Sequence, residues 1–120
     1  MSVASRICQA VAFTGYPCEQ VSYDGNAETY FVFNMFSTPD DFADDDAGAE
    51  VWFIQLHLFA PFTLDTTTLR KQIKAAIRSA GFTAPSMTDA SSPKRVEDGT
   101  EQHMVFEFEC ATSCGGDDDV

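Results

Sequence analysis

Residues 51–59 alternate with a period of two: Trp52, Ile54, Leu56 and Leu58 fall on one side, and Val51, Phe53, Gln55, His57 and Phe59 on the other. That period belongs to a β-strand. The first set reads as core, whereas the second mixes aromatics with Gln and His, the composition of a face partly covered by another element or subunit. Upstream, residues 29–36 (TYFVFNMF) form a second apolar, strand-like run. Between the two lies STPDDFADDDAGA, in which Asp40, Asp41, Asp44, Asp45 and Asp46 crowd into seven positions. Neither an amphipathic helix nor a packed sheet edge tolerates that density of like charge, so a protruding acidic loop is predicted between two strands. A last strand is predicted over 102–110, with Met104, Phe106, Phe108 and Cys110 on one face and His103, Val105, Glu107 and Glu109 on the other.

Elsewhere the period is helical. Val3, Ile7, Ala10 and Val11 share one face of a helix predicted over 3–13, with Ser2 as N-cap and Gly15 and Pro17 ending it. Residues 18–23 read as a short strand, and Asp24, Gly25 and Asn26 predict a hairpin into the 29–36 strand; Pro61 closes the third strand. In a second helix, Asp65 or Thr66 caps the start, Leu69, Ile73, Ala76, Ile77 and Ala80 form the apolar stripe, and Gly81 occupies the left-handed C-cap position. Its outer face is basic: Arg70, Lys74 and Arg78 recur every four residues with Lys71 beside them, four of the chain's seven cations. Such a stripe is ordinarily a solvated face. A short strand near Phe82 precedes the polar connector TDASSPKRVEDGT, and the end ATSCGGDDDV is too polar and glycine-rich to pack. The predicted plan is one α+β domain over 1–110, a mostly antiparallel sheet of four to five strands with two helices on one face, followed by a flexible acidic tail over 111–120.

A chain of 120 residues suffices for a single core. Its 19 acids against 7 bases give a net charge of −12, which argues against wrapping nucleic acid. An acidic surface can still let DNA slide past, or imitate a phosphate track. No apolar run approaches the roughly 18 to 20 residues that span a bilayer, and MSVASRICQAVAFTG lacks the features of a secretory signal, so no membrane partner and a cytoplasmic setting are expected. Cys8, Cys18, Cys110 and Cys114 contain no CxxC pair and read as reduced thiols, with a Cys110–Cys114 pairing conceivable.

Tests for chemistry come out negative. DDFADDDAGAE lacks the alternating ligands, sixth-position Gly and distant Glu of an EF-hand. His57, His103, Cys110 and Cys114 are the only other ligand set worth naming, and His57 and Cys110 are expected on opposite faces, so zinc is not expected. There is no GxSxG elbow, no P-loop and no GxGxxG, and the carboxylate pairs lie in segments that cannot hold acid–base geometry. No enzyme activity and no cofactor are expected.

The order of these pieces resembles the tail-terminator or tail-completion (neck) proteins of long-tailed phages. The resemblance is carried by the acidic loop at Phe42–Asp45, the strand Val51–Phe59 with its IQLHLF, the helix in TLRKQIKAAIRSAGF and the end strand His103–Glu109. It implies a virion structural protein in a ring, expected hexameric, at the head-proximal end of the tail tube. Such a ring is assembled in the host cytoplasm, ends tube polymerisation and meets the head connector or head-completion protein, with DNA only passing through its lumen. Interface residues expected on this reading are Arg70, Lys74 and Arg78 toward a neighbouring subunit or the tube protein, and Asp40, Asp41, Asp44, Asp45 and Asp46 toward the lumen or connector. A competing reading, a small acidic DNA mimic that inhibits a host nucleic-acid-binding protein, predicts acids spread along a track, whereas here they concentrate in one loop and one tail. A metal-dependent or thiol enzyme lacks any constellation.

Overall fold

The computed structural model describes residues 2–39, 50–91 and 101–112. The chain forms an α+β fold, with a mixed five-stranded sheet and two helices among the described residues. Helix α1 (Val3–Val11) starts where Ser2 Oγ accepts from the Ser5 N–H at 3.1 Å. A single 3-10 turn, Ala12–Thr14, follows and ends at Gly15, whose φ of 78° is left-handed. Strands β1 (Cys18–Gln20), β2 (Tyr30–Pro39) and β3 (Glu50–Pro61) precede helix α2 (Thr67–Ser79), and β4 (Ser86–Asp89) and β5 (Glu101–Thr112) complete the sheet in the order β1-β2-β3-β5-β4.

Strand β3 occupies the centre, antiparallel to β2 on one side and to β5 on the other. The register aligns Phe33, Leu56 and Phe106 in one row and Phe31, Leu58 and Met104 in the next, and all six are buried. Val3, Ile7 and Val11 of α1 and Ile73 and Ile77 of α2 belong to the same buried cluster. Fully burying one such side chain contributes about 1.5–3 kcal/mol. The alternation expected along β3 and β5 therefore holds: Ile54, Leu56 and Leu58 with Met104, Phe106, Phe108 and Cys110 are core, and Trp52 is half-buried.

Three expectations are corrected. The first is the hairpin after residue 20: β1 pairs with β2 in parallel, Cys18 opposite Phe31 and Gln20 opposite Phe33. Docking of α1 and Tyr16 against the core delivers residue 18 to the same end of β2 at which Phe31 enters, and the Pro17 carbonyl accepts from the Phe31 N–H at 2.7 Å. Strand β1 then stops at a tight turn in which the Ser22 N–H reaches the Gln20 carbonyl across Val21, held at φ 78°. The second is the strand expected near Phe82, which forms instead at Ser86–Asp89. Phe82 is consumed in ending α2: its N–H bonds the Ile77 carbonyl while the Gly81 N–H bonds Arg78, the two bonds of a Schellman motif, and the Phe82 ring packs in the core with Ile77. The third is the end of the last strand, expected at Cys110: the pairing with β3 carries β5 on through Ala111 and Thr112.

Arg6 links the two helices. Its Nη2 donates to the Ala80 carbonyl at the C-terminus of α2 (3.0 Å), and its guanidinium lies 4.8 Å above the Phe82 ring. Gly81, at φ 99°, leaves room for that guanidinium, since a Cβ there would stand 2.8 Å from Arg6 Nη2. Gly81→Ala is therefore expected to lower stability by about 1–2 kcal/mol through backbone strain and displacement of Arg6. Urea unfolding measures it, and a midpoint equal to that of the parent would remove Arg6 and Gly81 from this account.

Candidate functional site

The sheet face opposite the buried cluster carries side chains in cross-strand rows. Tyr30, Phe59 and His103 form one row, Val32, His57 and Val105 the next, Asn34, Gln55 and Glu107 a third, and Phe36, Phe53 and Glu109 a fourth. At one end the rings stack continuously: Tyr23 on Tyr30 (4.6 Å between centroids), Tyr30 on Phe59 (5.1 Å), Phe59 on His103 (4.3 Å) and His103 on His57 (5.0 Å). Gly25 makes room for Tyr23, whose hydroxyl accepts from the Ala27 N–H at 3.0 Å. At the other end Phe36 stacks on Phe53 at 5.2 Å, and Phe36 remains 61% exposed. Between the two aromatic groups, Gln55 Nε2 donates to Glu107 Oε2 at 2.8 Å. A concavity of about 580 Å³ opens here, bordered by Asn34, Phe36, Phe53, Gln55, Glu107, Glu109 and the 83–86 segment.

His57 Nδ1 and His103 Nε2 face each other at 2.8 Å, so one ring must donate and the other accept. A second proton would set two donors against each other. Burial pushes both imidazoles below their ordinary value near 6.5, and the charge of His103 adds to the effect on His57, while the carboxylates of Glu107, for His57, and Asp89, for His103, pull upward. Asp89 itself is held below the usual carboxylate range by hydrogen bonding from the Ser91 side chain and from the Ser91 N–H, 2.9 Å from its Oδ1.

The basic stripe divides. Arg70 is half-buried and its Nε donates to Thr66 Oγ1 (3.0 Å); the Thr66 hydroxyl donates to Gln102 Oε1 (3.0 Å), and Gln102 Nε2 donates to the Pro61 and Leu64 carbonyls at 2.9 and 2.6 Å. This chain of donors joins the α2 start to β5 and to the β3–α2 connection, and Thr66 and Gln102 are its buried polar members. The helix-start acceptor role falls to Asp65, whose Oδ1 takes the Thr67 N–H at 3.0 Å, and that contact lowers the Asp65 carboxyl below its ordinary range. Lys71 and Arg78 are exposed and Lys74 is half-buried.

Asp40, Asp41, Asp44, Asp45 and Asp46 lie outside the described residues, as does Cys114. Pairing of β3 with β5 does bring His57 and His103 together, but Cys110 is buried on the opposite face. No group of three or more metal-ligating side chains converges among the described residues, and no helix there is long and apolar enough to cross a membrane. The polar row at Asn34, Gln55 and Glu107 and the proximity of Cys8 to Cys18 went unforeseen. Alternation marks a residue's face, but only register shows which residues from other strands stand beside it. The chain matches no protein-family model and no curated protein.

Two measurements follow from these contacts. Replacing Gln102 with Leu removes the acceptor of the Thr66 hydroxyl and the donor to the Leu64 carbonyl, while the Pro61 carbonyl keeps the Leu64 N–H, an expected loss of about 1–3 kcal/mol in chemical unfolding; an unchanged midpoint would mean that the donor chain contributes nothing. For the histidines, between the depressed folded pKa values and the unfolded value near 6.5 the unfolded chain binds more protons. Stability is thus complete above about pH 6.5 and declines as pH falls through the folded values. The melting temperature should drop from about pH 7.5 to about pH 5.5, and a His57→Gln, His103→Gln double variant should show a flatter profile; parallel profiles would exclude the pair as the cause.

Proposed function

We propose that this chain is a virion structural protein of the tail-terminator or tail-completion kind: a subunit of a ring, expected hexameric, at the head-proximal end of a phage tail tube. Its role is architectural rather than catalytic. It ends tube polymerisation and offers a joining surface to the head connector, with Asp40, Asp41, Asp44, Asp45 and Asp46 assigned to the lumen or the connector. An acidic lumen lets DNA pass without adhering.

The observation that carries this reading is a pair of complementary surfaces on one chain. Helix α2 presents Lys71, Lys74 and Arg78, and the sheet face opposite the buried cluster presents the exposed Glu107 and Glu109 beside Phe36 and Phe53. Two different patches that complement each other favour a head-to-tail contact, which closes into a ring when the rotation per subunit permits. Exposed ion pairs contribute only about 0.2–1 kcal/mol each. They orient the contact, and burial of Phe36 and Phe53 supplies most of its strength, about 1.5–3 kcal/mol for a ring fully covered.

Electron microscopy of the protein mixed with tail tubes tests the reading. The parent should place one ring at a tube end, Lys74→Glu with Arg78→Glu should reduce capped tubes at least roughly tenfold while leaving the circular dichroism spectrum unchanged, and adding Glu107→Lys and Glu109→Lys to the same chain should restore them. Rings indifferent to the reversal would refute the contact. A free monomer that never caps tubes but inhibits a DNA-binding protein would favour the acidic mimic.

A further inference from the structure

Helix α1 and strand β1 bring two thiols together. Cys8 Sγ donates toward Cys18 Sγ at 3.3 Å and lies 3.5 Å from the Cys18 carbonyl oxygen. The intervening turn holds them there. Thr14 Oγ1 donates to the Val11 carbonyl at 2.7 Å and accepts from the Tyr16 N–H at 3.1 Å, Gly15 turns the chain in the left-handed region, and the Pro17 carbonyl is tied to Phe31. Both cysteines are half-buried, so each keeps some surface in solvent.

We propose that Cys8 and Cys18 form a dithiol modification site for a low-molecular-weight disulfide oxidant, closing into an intramolecular disulfide that staples α1 to β1. A covalent S–S bond is about 2.05 Å long, so the sulfurs need to approach by only about 1.2 Å. The Cys8 thiolate attacks the oxidant, forming a mixed disulfide and expelling one thiolate. Cys18 Sγ then attacks Cys8 Sγ, its proton leaves with the second expelled thiolate, and the S–S bond forms. In sum, two protein thiols and one disulfide give one protein disulfide and two small thiols. Burial, reinforced by the adjacent Cys8, pushes the Cys18 thiol far up, so the reaction enters through Cys8.

The staple acts on the shortest strand of the described sheet. Strand β1 has three residues, lies at the edge of the sheet and ends at the Val21 turn, so β2 is the strand that pairs with it. A bond across residues ten apart also restricts the unfolded chain. The site rests on the two thiols alone and goes beyond the ring assignment, so either can fail without the other.

The test treats the full chain with oxidised glutathione and compares it with the dithiothreitol-reduced protein. The expected results are a mass loss of about 2 Da and a non-reducing peptide map linking Cys8 to Cys18. The melting temperature should rise by roughly 5–10 °C and return on reduction. Amide exchange should slow at residues 18–21, and Cys8→Ser should abolish every change. If that variant does not fold, the peptide map of the parent still decides. A persistent glutathione adduct on Cys8 or Cys18, a link through Cys110 or Cys114 instead, or an unchanged mass would each overturn the proposal.

Discussion

The register of β3 between β2 and β5 is the constraint on which the rest of the structure depends. Side chains alternate along a strand, so a slip by one residue on either side would move Phe31 and Phe33, or Met104, Phe106 and Phe108, out of the buried cluster together. That cost greatly exceeds any gain available on the other face. With the register held, one side of the sheet is a continuous apolar surface joined by α1 and α2 residues, and the other is left to stacked rings and a polar row.

Two polar junctions complete the frame. Arg6 ties α1 to the C-terminus of α2 through the Ala80 carbonyl and the Phe82 ring, and the Arg70–Thr66–Gln102 chain ties the start of α2 to β5. Both use a guanidinium to satisfy groups that packing has taken from water. Arg70 therefore has a structural duty within the chain, and the exposed cations on α2 are Lys71 and Arg78, with Lys74 half-buried.

The sheet face opposite the core combines apolar and polar groups in register. Aromatic rings at both ends supply apolar area, and the central row of Asn34, Gln55 and Glu107 supplies direction. Much of the ring stack is satisfied within the chain, since Tyr30, Phe59, His103 and His57 cover one another. Phe36 and the neighbouring carboxylates Glu107 and Glu109 remain exposed.

Much of this was legible in the residues. A strand-like apolar run located β2, and period-two alternation located β3 and β5 and sorted Leu56 from Gln55 and Phe106 from Glu107, because burial on one face leaves a local record. Ser2 at the start of α1 and Gly81 beyond α2 marked helix ends for equally local reasons, an oxygen for a free N–H and a backbone that tolerates positive φ. Strand direction, by contrast, was not local. Asp24-Gly25-Asn26 suggested a hairpin, but the docking of α1 decided where β1 begins, and it runs parallel to β2. Only the tertiary structure set His57 against His103, Cys8 against Cys18 and Arg70 into the Thr66–Gln102 chain. Each of those contacts joins residues from different elements, and their distance depends on packing that no periodicity encodes.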